Sequence, residues 1–330
     1  MRVLIIGGTG NISWHCVVRA LQCGHEVWVL NRGETIKTRK ACPVGVNQIY
    51  ADIREVVAAK KALEGMRFDV VVDFICYTRL HALIDIELFS DITKQFIFIS
   101  SAGCYQRAGC NYPIIESNTI YNPKWEYASN KIECEHIFME CFSEHNFPVT
   151  IVRPGHTYDT IIPDAVGNGD WTVAQRMIDG KPIVMHGEGN TLWTLTHAED
   201  FARALVGLFR NPKAIGTDFH ITSDEWLTWR QISMEVARTL RAPSPNFVYV
   251  PSGTIAFNNP TLGMGLLYHK SWCDIYDNSK IKSVVKGWEA IIPFKEGIKR
   301  TVDWLQDDKV RQRVDSRIDL FFDELVGNER

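Results

Sequence analysis

Short, wholly apolar runs alternate along the chain with longer stretches whose apolar positions recur every three or four residues. Runs of the first kind read as strands buried on both faces, and stretches of the second kind as helices with one face inward. The pattern predicts strands at 3–6, 27–30, 48–51, 69–75, 95–99 and 149–152. Between them it predicts a helix carrying Trp14, Val17, Val18 and Leu21 and ending at Gly24, then helices over 54–63, 80–89 and 125–142. Strands and helices that alternate at this spacing imply right-handed crossovers, hence an α/β fold with a Rossmann-type doubly wound parallel sheet. From about residue 156 the rhythm loosens. Glycine and proline punctuate 167–189, helices are expected at 198–209 and 228–240 and a strand at 219–222, and 241–260 has no clear period. The tail over 295–324 reads as mostly helical and charged.

In an open α/β sheet, ligands sit beyond the carboxyl ends of the strands. The first strand runs into Gly7-Gly8-Thr9-Gly10 and then a helix. Such a turn lets the backbone approach a pyrophosphate, and the helix start offers unpaired N–H groups to it. The spacing, Gly7-x-x-Gly10-x-x-Ser13, differs from the commoner G-x-G-x-x-G. The chain therefore divides into a dinucleotide-binding domain over 1–155, with sheet contributions from about 190–222, and a smaller, partly interleaved substrate-binding region over 156–330.

Composition narrows the class. The 330 residues are 45% hydrophobic and 23% charged, with a net charge of −3. That balance gives no electrostatic footprint for nucleic acid or an anionic membrane. No apolar stretch approaches the ~20 residues of a membrane span, and the N-terminal run does not form a signal peptide. The nine cysteines are odd in number and include no Cys-x-x-Cys pair, so neither a zinc site nor a disulfide framework is expected, and the setting reads as reducing and cytoplasmic. Glu133, Glu135 and His136 share a helix with no second cluster, so no metal site is expected.

The remaining strand ends carry Asn31-Arg32, Asp52-Ile53, Cys76-Tyr77, Ser100-Ser101 and Pro154-Gly155-His156. Tyr127 and Lys131 stand four apart at a helix start and share one face. A tyrosine near pKa 10 is a poor acid/base at neutral pH, but an adjacent ammonium favours its phenolate. With the Ser101 hydroxyl, the pair is equipped to move a proton on a substrate oxygen while a hydride moves at the same carbon. Tyr276 and Lys280 repeat the spacing without a serine or glycine turn leading into them and read as structural. Cys76 reads as an apolar wall, and His197 to Asp200 as the start of a helix rather than as ligands. Tyr105 and Tyr158 are candidate pocket residues.

These stretches resemble the extended short-chain dehydrogenase/reductases, the NAD-dependent epimerase/dehydratase family. The matching segments are GGTGNIS (7–13), ADI (51–53), FIFISSAGCY (96–105), YASNK (127–131), IVRPGHTY (151–158) and HGEGNTLWTLTHAEDFARAL (186–205). The resemblance implies catalytic Ser101, Tyr127 and Lys131. It implies cofactor contacts from Gly7, Gly10, Asn11, Ile12, Asp52, Ile53, Lys131 and Pro154; Thr9, Asn31 and Arg32 are further cofactor candidates by their place at strand ends, and Ser101, Tyr127, His156 and Trp193 are the candidate substrate contacts. It also implies a homodimer acting on a small molecule.

Four departures qualify that picture. Ser13 replaces the family's third glycine. Asn31-Arg32 stand where an acidic residue selects a free ribose hydroxyl, which favours NADP, with NAD the alternative. No acidic residue follows Ser101, which disfavours water elimination. Trp193 occupies the neighbourhood of an arginine that meets a substrate phosphate in nucleotide-sugar enzymes. The expectation is an NAD(P)-dependent epimerase or oxidoreductase acting at a secondary alcohol or ketone of a sugar-like or ring substrate. An NADPH-dependent ketone reductase of a non-nucleotide metabolite is one alternative, and a catalytically silent RNA-binding or regulatory relative is the other.

Overall fold

A computed structural model describes residues 1–33 and 38–328. Its first half runs β1 (Arg2–Ile6), α1 (Ser13–Gln22), β2 (Glu26–Asn31), β3 (Asn47–Tyr50), α2 (Val56–Ala62), β4 (Val70–Asp73), α3 (Arg79–Phe89), β5 (Phe96–Ile99), α4 (Glu126–His145) and β6 (Val149–Pro154). With β10 (below) these strands form one seven-stranded sheet, ordered β10-β6-β5-β4-β1-β2-β3 and parallel throughout. Helices cover both faces, which is why β4 and β5 are buried at every position instead of at alternate ones. Val3, Ile5, Val70 and Val72 face one core and Leu4, Ile6 and Val71 face the other.

The second half supplies β7 (His156–Tyr158), α5 (Thr172–Ile178), β8 (Ile183–His186), β9 (Leu192–His197), α6 (Ala198–Gly207), β10 (Thr217–Ile221), β11 (Trp226–Thr228), α7 (Trp229–Leu240) and β12 (Phe247–Val250). It continues with α8 (Ser252–Asn258), α9 (Pro260–Gly265), a π-helical turn at Leu266–Lys270, α10 (Ser279–Val284), α11 (Phe294–Gln306) and α12 (Ser316–Asn328). Within 190–222 only β10 enters the large sheet, where it pairs with β6. Strand β9 instead lies between β7 and β11 in a small separate sheet, and α6 packs against α1. A third core, from Tyr158 to Val326, lies within this half. The 241–260 stretch, aperiodic in sequence, holds β12 and two short helices. The expected tail helix is two helices broken at Asp307–Asp315. Among the described residues, no helix is long and apolar enough to cross a membrane.

Behind the site, Arg153 of β6 ties the halves together. Its guanidinium donates to Glu135 on α4 at 2.6 and 2.9 Å and reaches Asp218 on β10 at 2.7 Å. Glu135 also accepts from Ser100, at 2.5 Å. The buried polar groups therefore satisfy one another, and the Ser100-Ser101 turn is braced from below.

Candidate active site

The glycine turn after β1 is built from backbone geometry that side chains resist. Gly7 has φ +76°, and a Cβ there would lie 2.8 Å from Ile75 Cγ2. Ser13, unexplained by sequence, closes the turn: its hydroxyl donates to Gly7 O at 2.6 Å and accepts from Gly10 N–H at 2.8 Å. Asn11 fastens the turn to β7 and the chain just after it, donating to Thr157 O at 2.9 Å and accepting from Thr160 N–H at 2.9 Å. Among the described residues the backbone N–H groups of Asn11 and Ile12 have no acceptor, and they stand at the start of α1, where an anion would complete them. The cradle fits a dinucleotide pyrophosphate.

Beside it opens a pocket of about 390 Å³ lined by Gly7, Thr9, Asn31, Arg32, Asp52 and Ile53, all expected from sequence, together with Arg39, Arg54 and Tyr77. Asn11 lines an adjacent cleft instead, and Pro154 lies on the substrate side. Asp73, Cys76 and Asp85 converge with metal-ligand spacing behind this pocket. Their two carboxylates already hold the Arg54 guanidinium, at 3.0 and 2.8 Å, so the cluster reads as an ion-pair floor.

Ser101 begins a short 3₁₀ turn and accepts from Gly103 N–H at 3.1 Å. Tyr127 and Lys131 lie in the first two turns of α4. The Lys131 ammonium donates to the carbonyls of Cys76 at 2.6 Å and Ile99 at 2.8 Å and lies 4.7 Å from the Tyr77 ring centroid. Burial lowers its pKa. Tyr127 departs from the sequence expectation. Desolvation first, then Cys104, push its pKa up, and the Ser101 side chain opposes this, although 39% of the residue remains exposed. Two of the three ammonium donors go to carbonyls, and the phenol is protonated at neutral pH, as an ordinary tyrosine is.

The substrate side is a pocket of about 310 Å³ lined by Ser101, Trp125, Pro154, His156, Trp193 and His269 among others; Tyr127, expected here from sequence, is not among its lining residues. His156 Nε2 is buried without a partner. Burial first, then Lys270 and His269, pull its pKa down to about 3, so the ring is neutral. Trp193 is both core and wall: it is 1% exposed, donates to Trp272 O at 2.9 Å, and packs against Trp229 and His269. Lys270 also lines the pocket, but its ammonium is held by Asp164, at 2.9 Å from the carbonyl and 3.4 Å from the carboxylate.

Tyr105 and Tyr158 do not line this pocket. Both are fully buried, Tyr105 in the Arg153 network and Tyr158 against His197 and Phe294. Tyr276 donates to Asp274 at 2.6 Å and Lys280 to Asp218 at 2.8 Å, so that pair is structural. His197 caps α6, accepting from Glu199 N–H. Sequence reasoning missed Arg39, Arg54, Trp125, His269 and Lys270. All come from loops or from the late part of the chain, and only Arg54, which directly follows the ADI segment, adjoins a recognisable motif.

Residues 3–222 match the model of the NAD dependent epimerase/dehydratase family. The chain is 28% identical over 259 residues to a 2'-dehydrokanamycin reductase of Streptomyces kanamyceticus, covering 76% of this chain and 70% of that protein. It is 25% identical to a chloroplast stem-loop binding protein of 41 kDa from Arabidopsis thaliana, covering 75% and 65%, and 20% identical to the human dTDP-D-glucose 4,6-dehydratase, covering 93% and 90%. Among solved structures, an epimerase from Methanothermobacter thermautotrophicus superposes with a TM-score of 0.79 at 16% identity, covering 95% of each chain. A UDP-glucose 4-epimerase from Thermotoga maritima does so at 0.74 and 19%, covering 93% and 99%.

Proposed function

The chain belongs to the NAD-dependent epimerase/dehydratase family, and from that premise we propose that it is an NADP(H)-dependent oxidoreductase reducing a ketone on a small, uncharged ring substrate that carries no nucleotide. The observation that carries this reading is the substrate pocket. At about 310 Å³ it lies at the small end of ligand sites, two indoles wall it, and no arginine lines it. Its one ammonium is occupied by Asp164. Within this pocket a nucleotide diphosphate would find little room and, among the described residues, no arginine, whereas a saccharide-like ring fits between indole faces; the adjoining cleft, which shares Asn168 with the pocket, does carry arginines.

The bound cofactor supplies the hydride. The protein's part is the proton. Tyr127, protonated at neutral pH, donates to the ketone oxygen as charge develops on it, and the Ser101 hydroxyl hydrogen-bonds the same oxygen. Lys131 is a positioning residue that fixes α4 against the ends of β4 and β5 through its two carbonyl contacts. In reduction the phenol gives its proton and in the reverse oxidation the phenolate takes it, so the pair by itself does not set the direction. Epimerisation at the same carbon requires the ketone to turn over while held at a remote anchor, and the pocket offers no diphosphate anchor for that. The similarity to a reductase supports reduction. Against a silent RNA-binding role stand the intact Ser101, Tyr127 and Lys131 set and a net charge of −3.

NADP preference rests on Arg32 and Arg39 in the cofactor pocket and on Asn31-Arg32 standing at the end of β2, where an acidic residue would select a free ribose hydroxyl. The test is oxidation of NADPH and of NADH with a panel of uncharged ring ketones and of nucleotide sugars. The expected result is turnover of a ring ketone, with NADPH favoured at least tenfold over NADH. Epimerisation or dehydration of a nucleotide sugar overturns the reading.

A further inference from the structure

Trp193 and His269 both line the substrate pocket, and both are pinned by one residue, Asp274. Its backbone donates to Leu192 O at 2.7 Å and accepts from Thr194 N–H at 3.1 Å, so it brackets Trp193 on β9. Its carboxylate is fully buried and receives the Tyr276 hydroxyl at 2.6 Å, the Arg107 guanidinium at 2.5 Å and His269 Nε2 at 3.3 Å. His269 itself lies between two indoles, its ring centroid 4.8 Å from that of Trp193 and 5.4 Å from that of Trp125. The imidazole is therefore fixed in place before any ligand arrives.

The contact with Asp274 also fixes which ring nitrogen carries the proton. Burial pushes the Asp274 carboxyl up, but Arg107 and then His269 pull its pKa down to about 2, so it is ionised and can only accept. His269 Nε2 must be the donor, and the tautomer is assigned on that ground. Burial lowers the pKa of the His269 ring, with Asp274 opposing, so the imidazole is neutral at pH 7 and Nδ1 keeps a bare lone pair. Among the described residues Nδ1 takes no hydrogen bond, and it is not sealed in the interior. The pocket thus holds an oriented acceptor between two indoles. Its neighbour Lys270 does not fill that role, because Asp164 holds the ammonium.

We propose that His269 is the specificity-determining residue of this pocket: its Nδ1 accepts a hydrogen bond from a hydroxyl on the substrate ring and so selects polyhydroxylated ring ketones over plain ones. Asp274 is the positioning residue that holds the tautomer. The inference rests on the ketone-reductase reading and adds to it the polar group that the ring must bring. The indoles select a ring, and the imidazole selects its hydroxyl. A plain hydrocarbon ring in the same place strips water from Nδ1 and returns no donor, which penalises the wrong ligand.

The test is a ligand-observed NMR titration of the full-length protein with saturating NADP+, which carries no hydride, so the ketone binds without being reduced. The probes are pentahydroxycyclohexanone, with hydroxyls on all of its other ring carbons, and cyclohexanone. Wild type is compared with His269→Phe, which keeps a ring between the indoles, and with His269→Asn, which keeps an acceptor near Nδ1; urea midpoints check that both fold. The proposal predicts that His269→Phe weakens the polyhydroxy ketone by about fivefold, the size of one net neutral hydrogen bond, and leaves cyclohexanone within twofold. His269→Asn recovers most of the loss. A loss of less than twofold in His269→Phe, an equal loss for both ketones, an equal loss in both variants, or no wild-type binding of the polyhydroxy ketone overturns the proposal. The reductase reading is tested separately by replacing NADP+ with NADPH: a polyhydroxy ketone that binds through His269 but is not reduced sinks that reading and leaves this one standing.

Discussion

Tyr127 and Lys131 show how far a motif speaks for its own chemistry. Their spacing puts both on one face of α4, as i and i+4 positions must be. It does not say where the ammonium spends its hydrogen bonds, and Lys131 spends them on Cys76 O and Ile99 O. Those carbonyls end neighbouring strands, so their approach to α4 depends on how the sheet twists, which no local pattern encodes. The consequence is a phenol whose pKa is not lowered but raised, by desolvation first; it is protonated at neutral pH and has a proton to give. Tyr127→Phe keeps the ring and its contact with Trp125 but removes the proton. Loss of general acid catalysis costs about 10²- to 10⁴-fold in rate, with cofactor affinity preserved because the pocket gathered by Gly7, Arg32 and Asp52 is untouched.

At the scale of the element, the glycine turn was legible as strand, turn and helix, yet its closure was not. Ser13 replaces a glycine and supplies what a glycine cannot, a hydroxyl bridging Gly7 O and Gly10 N–H. Ser13→Ala removes both hydrogen bonds and leaves the Gly10 N–H to find another acceptor. At about 1 kcal/mol per bond, the loss is about 1–2 kcal/mol of stability in urea denaturation, with NADPH binding weakened severalfold as the turn loosens. Unchanged stability and unchanged affinity would show that the bridge is incidental. The same limit explains the late elements. Strands β1, β4, β5 and β6 announced themselves because they are buried on both faces and largely apolar, whereas β3, NQIY at the sheet edge with one buried residue, was legible mainly from its place between helices. Strands β7 and β11 have three residues each, and β12 sits among prolines, so no periodicity accumulates. His269 and Lys270 reach the pocket from a π-helical turn, and nothing in their sequence neighbourhood foretells it.

Across the whole molecule, one property follows from burial rather than from any motif. Desolvation is the leading cause that pulls His156 down to about 3 and His186, His197 and His220 down to about 4. Each is neutral in the folded protein above that value, and each takes up a proton on unfolding once the pH is below the ordinary 6.5. Their stabilising effect is therefore complete above pH 6.5 and is lost as pH falls from 6.5 towards 4. Four such groups give a slope of about 5 kcal/mol per pH unit near pH 5. Urea midpoints measured from pH 7.5 to 5 should hold steady above 6.5 and then fall steeply. A flat profile would mean that these rings titrate freely. The four lie on β7, β8, β9 and β10, so acid should loosen the substrate side and the sheet edge beside it first.

The central claim is that Tyr127 delivers the proton that completes ketone reduction. Its most direct measurement is the steady-state rate of NADPH oxidation with the ring ketone that the wild type reduces, compared in wild type and Tyr127→Phe, alongside the NADPH dissociation constant of each. The account predicts a rate lowered by about 10²-fold or more at an NADPH affinity within twofold of wild type. A Tyr127→Phe protein that binds NADPH normally and reduces the ketone at the wild-type rate would contradict it.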